Sequence, residues 1–352
     1  MDKIIYGIQQ IGIGVEEVTT AWAWYRKYLG MDIKAFEEEA IAELMLHYTE
    51  GKARPRHAVL ALNMQSGGGF EIWQHTEKKP INAKFEIQLG DLGIFAAKQK
   101  SQDVKKAYHW MKSQGLNVLG KIEHSPDGTA FFFLRDPYGN LFQIIENNYI
   151  FSKTSAVVGG VMGAIIGVSN IEDSMKLYAD TLGYSEVIYD TTAVSKDLYS
   201  IPGGALEARR ILLRPKQQSK GGFSPLLGPT EIELVQVLNA PVRTIYENRI
   251  WGDPGFIHLC FDIHNMKKLQ QDCASNGFPF TVDSTNSFDM GEAAGHFAYV
   301  SDPDGTPIEF VETSKLPIIK ALGIGIDLSN RDPNKALPRW ILKLLKVKRV
   351  KN

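Results

Sequence analysis

The sequence predicts an α+β protein of four βαβββ modules paired into two curved sheet clefts, and three observations lead there. First, Asp136-Pro137-Tyr138-Gly139-Asn140 and Asp302-Pro303-Asp304-Gly305-Thr306 are the same tight turn. Each leads into a short apolar strand, Leu141-Phe142-Gln143 in one case and Pro307-Ile308-Glu309 in the other. Second, a strand, a helix and a glycine stop follow one another four times, at residues 10–30, 93–115, 163–183 and 255–277. Third, segments of strand character follow each helix, such as Ala58-Val59-Leu60-Ala61-Leu62 and Phe70-Glu71-Ile72-Trp73-Gln74, with Gly- and Pro-rich turns between them. A small sheet with one helix on one face leaves its other face bare and needs a partner. Two modules facing each other make one curved cleft, so four make two.

In module one, Gln10-Ile11-Gly12-Ile13-Gly14-Val15 alternates as a strand. The helix after it carries Trp22, Trp24, Tyr25 and Leu29, at least one of the tryptophans being core, and Gly30 closes it. Module two opens at Gly93-Ile94-Phe95-Ala96; its helix starts near Asp103 or Ser101 as the cap and stops at Gly115. Module three opens at Gly163-Ala164-Ile165-Ile166-Gly167-Val168, and its helix bears Met175, Leu177, Tyr178 and Leu182 before Gly183. Module four runs from Gly255-Phe256-Ile257-His258-Leu259-Cys260-Phe261 through a helix from Met266 to Ala274, then Gly277. The glycine clusters at 66–69 and 220–223 read as hairpin connections, because neither leads into a helix as a phosphate loop would.

The chain divides into residues 1–150 with modules one and two, 151–315 with modules three and four, and a tail over 316–352. Within the tail, residues 337–349 form a short basic amphipathic helix with Trp340, Ile341, Leu344 and Leu345 on its apolar side. That stripe is expected to pack on the host domain or on a second copy of the chain, which would make a homodimer. An anionic membrane surface is the other partner such a helix fits.

Of the 352 residues 44% are hydrophobic and 22% charged, with net charge −1, the composition of a globular protein with no transmembrane run. The near-neutral balance gives no general attraction to nucleic acid, so the expected partner is a small-molecule substrate. Two cysteines, Cys260 and Cys273, make no disulfide framework, read as packing residues and suggest a reducing compartment. The first residues lack the pattern of a secretion signal, and a cytoplasmic location is expected.

The helix ends Trp24-Tyr25-x-x-Tyr28-Leu29-Gly30 and Leu177-Tyr178-x-x-Thr181-Leu182-Gly183, each following a strand, combine with the two Asp-Pro-x-Gly turns into a recognisable set. In these features the chain, over about residues 4–313, resembles a four-module member of the vicinal oxygen chelate superfamily, which includes glyoxalases, bleomycin resistance proteins and extradiol dioxygenases. The resemblance implies metal ligands from two recurring places per module, on the first and last strands and facing the cleft. The first-strand places are Gln10, Gly93, Gly163 and His258; the last-strand places are Glu71, Gln143, Glu233 and Glu309. If module one faces module four, Gln10, Glu71, His258 and Glu309 form one ligand set like that of a glyoxalase I. The cleft of modules two and three is then expected to be metal-free. If neighbours pair instead, Glu233 joins His258 and Glu309 in place of Gln10 and Glu71. Either set of nitrogen and oxygen donors suits a divalent ion such as Zn, Ni, Mn or Fe.

By the same resemblance the expected function is a metal-dependent isomerase or lyase of glyoxalase type acting on a small carbonyl compound, with Glu309 as the catalytic base. A metal-free small-molecule-binding protein of bleomycin-resistance type is the alternative. An extradiol-type dioxygenase ranks below both, since its iron needs a histidine where Gly163 stands. The places of the arginines that hold glutathione in glyoxalase I are taken by Gly14 and Pro254, which points to a small carbonyl or aromatic substrate. Arg54, Arg56, Arg209 and Arg210 are candidate substitutes. His296 reads either as a proton carrier in the module-four cleft or as a surface histidine, and His57 stands alike.

Overall fold

Each module opens on a strand whose helix starts at a side-chain cap and stops where the next strand can turn back. The computed structural model describes residues 2–285, 288–289, 294–319, 324–328 and 331–351. Module one comprises β1 (Ile4–Gly14), α1 (Val18–Leu29), β2 (Ile33–Ala42), β3 (Arg54–Leu62) and β4 (Gly69–His75). Module two comprises β5 (Gly93–Ser101), α2 (Val104–Ser113), β6 (Asn117–His124), β7 (Ala130–Arg135) and β8 (Leu141–Glu146). Module three comprises β9 (Val161–Gly167), α3 (Ile171–Met175), β10 (Glu186–Val194), β11 (Glu207–Arg214), a single helical turn α4 (Ser224–Leu227) and β12 (Glu231–Val237). Module four comprises β13 (Gly255–His264), α5 (Met266–Ser275), the stubs β14 (Val282–Asp283) and β15 (Phe288–Asp289), β16 (Ala294–Ser301) and β17 (Pro307–Ile319). After it come β18 (Ile324–Asp327) and α6 (Arg339–Lys343).

The caps follow from residue chemistry. Glu17 accepts the backbone N–H of Thr19 and Thr20 at the start of α1, and Gly30 ends it in the left-handed region at φ 66°. Asp103 and Asn170 serve α2 and α3 in the same way. The third helix widens into a π turn over Lys176–Thr181, a longer and looser helix end than the first module has.

Two sheets result, and they cut across the division at residue 150. One has the order β14-β16-β17-β13-β1-β4-β3-β2 and joins module four to module one; the other, β10-β11-β12-β9-β5-β8-β7-β6, joins module three to module two. Antiparallel pairing of first strands makes both joins, β1 with β13 and β5 with β9, and each last strand lies parallel to its own first strand. One apolar cluster draws on both sheets and all four module helices, including Ile11, Tyr25, Met111, Tyr178, Phe261 and Leu269. The helices therefore fill the space between the sheets, and the opposite face of each sheet forms a cleft.

The motifs that repeat in the sequence meet in space. Tyr25 of module one donates its hydroxyl to Asp136 in the turn of module two (2.7 Å), and Tyr178 of module three donates to Asp302 in the turn of module four (2.9 Å). Each bond ties a helix on one sheet to a turn on the other. Asp302 also accepts the N–H of Asp304 and Thr306, so the same carboxylate shapes its turn.

Burial pushes the Asp302 carboxyl up to about 6, against the pull of the Thr306 N–H and the Tyr178 hydroxyl. A folded-state pKa above the unfolded one means that stabilisation is complete below the unfolded value and is lost as pH rises through about 6. A shift of this size corresponds to about 3 kcal/mol. Asp302→Asn is therefore expected to flatten part of the fall in stability between about pH 4 and 6, which denaturant titration at stepped pH would measure. A slope unchanged from that of the unaltered protein would refute the assignment.

The tail packs on its host. Leu337, Leu342 and Leu345 are buried against Ile33, Leu60 and Leu62, Ile341 is buried as well, and Arg349 pairs with Asp32. The stripe differs from the sequence reading: Trp340 is 67% exposed and Leu342 is buried in its place. The reason is length, since α6 has only five residues before a tighter turn over Leu344–Lys348 shifts the phase. The second glycine cluster also differs, because Gly221-Gly222-Phe223 leads into α4 rather than across a hairpin. No helix among the described residues is long and apolar enough to cross a membrane.

Candidate metal centre

The pairing of β1 with β13 sets Gln10 opposite Cys260 and Gly12 opposite His258, at the middle of the first sheet. The parallel neighbours place Glu71 level with Gly12 and Glu309 level with Cys260. Gln10 and His258 thus each stand two residues before the partner of their own module's acid. Their side chains and those of Glu71 and Glu309 converge on one spot.

His258 Nε2 lies 3.3 Å from Glu71 Oε2 and 3.2 Å from Glu309 Oε2. Gln10 Nε2 donates to the same two oxygens at 3.1 and 3.3 Å. Ligand atoms of Glu71, His258 and Glu309 all fall within 4.8 Å of one another. His258 is fully buried, yet Nε2 makes a hydrogen bond to neither carboxylate, and Gln10 Oε1 is likewise buried without a partner. A ring nitrogen close to two carboxylates and bonded to neither is a donor set that could hold a divalent cation. Bonds of about 2.0–2.2 Å to a common ion separate neighbouring ligands by about 3 Å, as here.

Burial pushes the Glu309 carboxyl up to about 7, the nearby Glu71 charge adding to this and His258 opposing it. For His258 burial acts downward, but Glu309 and Glu71 outweigh it and the net shift is upward. Glu309 and His258 therefore titrate as one coupled pair.

Residues without a sequence signal complete the surroundings. Trp251, in the loop before β13, lies parallel to the His258 ring at 6.0 Å, and its edge meets Trp73 at 4.3 Å. The Tyr299 hydroxyl approaches His258 Nδ1 at 3.4 Å. Cys260, read as a packing residue, is buried beside Glu309; its spacing of two from His258 on a strand was the available clue to a shared face. A cavity of about 410 Å³ opens above Gln10, Glu71 and Glu309, walled by Phe36, Trp73, Trp251, Phe297 and Tyr299. Arg56 also lines it, paired with Glu38 at 2.6 Å. Arg54 turns to Glu77 and Glu50. His296 binds Asp283 at 2.5 Å and His57 binds Glu37 at 3.2 Å, and neither lines the cavity.

The second sheet has a different content at the same places. The register pairs Gln143 with Lys98, so the first-strand place of module two is Ala96 and not Gly93; a bulge between Ile94 and Ala96 hides the count. Ala96, Gln143, Gly163 and Glu233 therefore stand where the first sheet has its four donors. Lys98 Nζ reaches Glu231 at 2.5 Å and Glu233 at 3.2 Å, and Arg210 binds Glu233 at 2.8 Å. Burial would raise the Glu233 pKa, but Arg210 and Lys98 hold it down to about 2. Arg209, on the same strand as Arg210, faces Glu172 and Asp190 outside.

A sequence model of the Glyoxalase/Bleomycin resistance protein/Dioxygenase superfamily matches residues 7–144 and 160–310. No curated protein matches the chain. Among solved structures, glyoxalase I from Zea mays is similar at 13% identity and a TM-score of 0.54, over 88% of this chain and 92% of that one. A putative dioxygenase from Bacillus subtilis subsp. subtilis str. 168 is similar at 12% identity and a TM-score of 0.56, over 88% and 85%. At such identities the likeness is one of fold.

Proposed function

Since the chain belongs to the Glyoxalase/Bleomycin resistance protein/Dioxygenase superfamily, we propose that it is a metal-dependent isomerase or lyase of glyoxalase type, acting in the cytoplasm on a small carbonyl compound. One observation carries the reading: Gln10, Glu71, His258 and Glu309, from four different strands, meet beneath an aromatic cavity. The residues fit a divalent ion of the Zn, Ni, Mn or Fe kind, because the unpartnered His258 Nε2 and Gln10 Oε1 are donors left over by every contact within the protein. Held there, such an ion supplies Lewis-acid polarisation of a carbonyl oxygen.

Glu309 then serves as base. Its carboxylate takes a proton from the carbon beside the carbonyl and returns it one atom away, so that substrate and product are isomers. A pKa raised by burial suits both halves of that transfer. Trp73, Trp251, Phe297 and Tyr299 exclude water from the reacting carbon and offer flat apolar walls to the rest of the molecule.

The test has two parts. Protein purified without added metal is expected to carry one divalent ion per chain; none would favour the metal-free binding protein of bleomycin-resistance type. Glu309→Gln keeps an oxygen donor and loses the base, so it is expected to retain the ion while proton exchange beside the carbonyl of a small 2-hydroxyketone falls by about 100-fold or more. An exchange rate equal to that of the unaltered protein would assign the base elsewhere.

A further inference from the structure

The last helix leaves a surface that neither the cleft nor the core uses. Residues 335–351 carry seven Lys and Arg and no acid, whereas the whole chain has net charge −1, so the remainder is net −8. The apolar stripe of this segment is already taken up by the host, as Ile341, Leu342 and Leu345 are buried. Two large apolar residues nevertheless point outward: Trp340 at 67% and Val347 at 70% exposure, the most exposed of all the large hydrophobics described. Lys343, between them, is exposed too, as are Lys335 and Lys351, and no acidic partner to these lysines or to Lys346 occurs among the described residues. Arg349 is paired with Asp32.

We propose that this surface docks the protein on an anionic membrane, with Trp340 and Val347 entering the headgroup layer and Lys343, Lys346 and Lys351 facing lipid phosphates and carboxylates. An indole has an apolar body and a polar edge, which suits the boundary between water and acyl chains. Clustered lysines are drawn to the negative potential of a lipid surface, and their stems can lie along the apolar layer. Neither contribution suffices alone, and this segment places both on one ridge. The ridge is anchored to the edge strand of the first sheet, with Lys348 Nζ donating to Ala35 O and Val350 N to Asp32 O. Docking therefore requires no unfolding of the host.

Sedimentation of the full chain with phosphatidylcholine vesicles, with and without phosphatidylserine, tests the proposal. Binding is expected only where phosphatidylserine is present. The double variant Lys343→Glu and Lys346→Glu should weaken it by at least about tenfold, and Trp340→Ser by several-fold, with the thermal midpoint unchanged in both because these side chains lie outside the core. Equal partition to both vesicles, or to neither, overturns the proposal. So does duplex DNA binding as tightly as the vesicles together with an indifferent Trp340→Ser variant, which would mark a simple polyanion patch.

Discussion

His258→Ala is expected to abolish stoichiometric divalent-ion binding, with affinity lower by about 100-fold or more, given that even outer-shell partners of a ligand are worth about 10–100-fold. The imidazole is the only nitrogen donor of the set, and its Nε2 faces both carboxylates. Without it Glu71 and Glu309 confront each other in a buried cleft, bridged only by the Gln10 amide. A proton then becomes the cheapest counter-charge, and a protonated acid is a poor ligand. Elemental analysis and calorimetric titration with zinc would read the result. Undiminished ion content in the variant would place the ion elsewhere and remove the basis for the isomerase reading.

Lys98→Ala is expected to destabilise the fold by about 3–5 kcal/mol, the usual cost of removing one partner from a buried ion network. Lys98, Glu231, Glu233 and Arg210 are all at most 1% exposed, and among the described residues Lys98 is the one cation that touches both acids. After its loss Glu233 shares Arg210 with Asp197 and Glu231 shares Arg214 with Asp127, so the buried acids are left short of positive charge. Combining the change with Glu231→Gln should recover part of the loss, because the surplus charge goes with it. Denaturant unfolding of the single and double variants measures both, and ion content should stay the same since the first sheet is untouched. A loss below about 1 kcal/mol would mean that water or rearrangement already screens the pair.

Together these expectations describe one scaffold used in two ways. In the first sheet two acids, an amide and an imidazole face an enclosed point with surplus donors. In the second, Lys98 and Arg210 supply fixed positive charge beside Glu233, and the remaining space is filled by Phe95, Phe131, Phe133 and Met162. An acid on a cleft wall needs a counter-charge, and a side chain can provide what an ion otherwise would.

Much of this was legible in the residues. Alternation, caps and turn chemistry are local properties, so the four modules, the stop at Gly30 and the cap at Asp103 could be read directly. The place of Ala96 was not, because a bulge breaks the period on which counting depends. Trp251 lies in an irregular loop, where no period relates it to His258 at all. The tail was read one position out of phase, since a five-residue helix is too short for its periodicity to assert itself.

By itself the sequence determined the kind of modules present, the residue types at their last strands, and the common turn that Asp136 and Asp302 shape. Only the tertiary structure decided which modules share a sheet and so which donors meet. It also put Tyr25 on Asp136 and Lys98 on Glu233, contacts more than 100 residues apart in the chain. The physical reason is that hydrogen bonding along a strand and capping of a helix act between near neighbours. A bare sheet face, by contrast, is satisfied by any complementary module, and only the packed whole selects one.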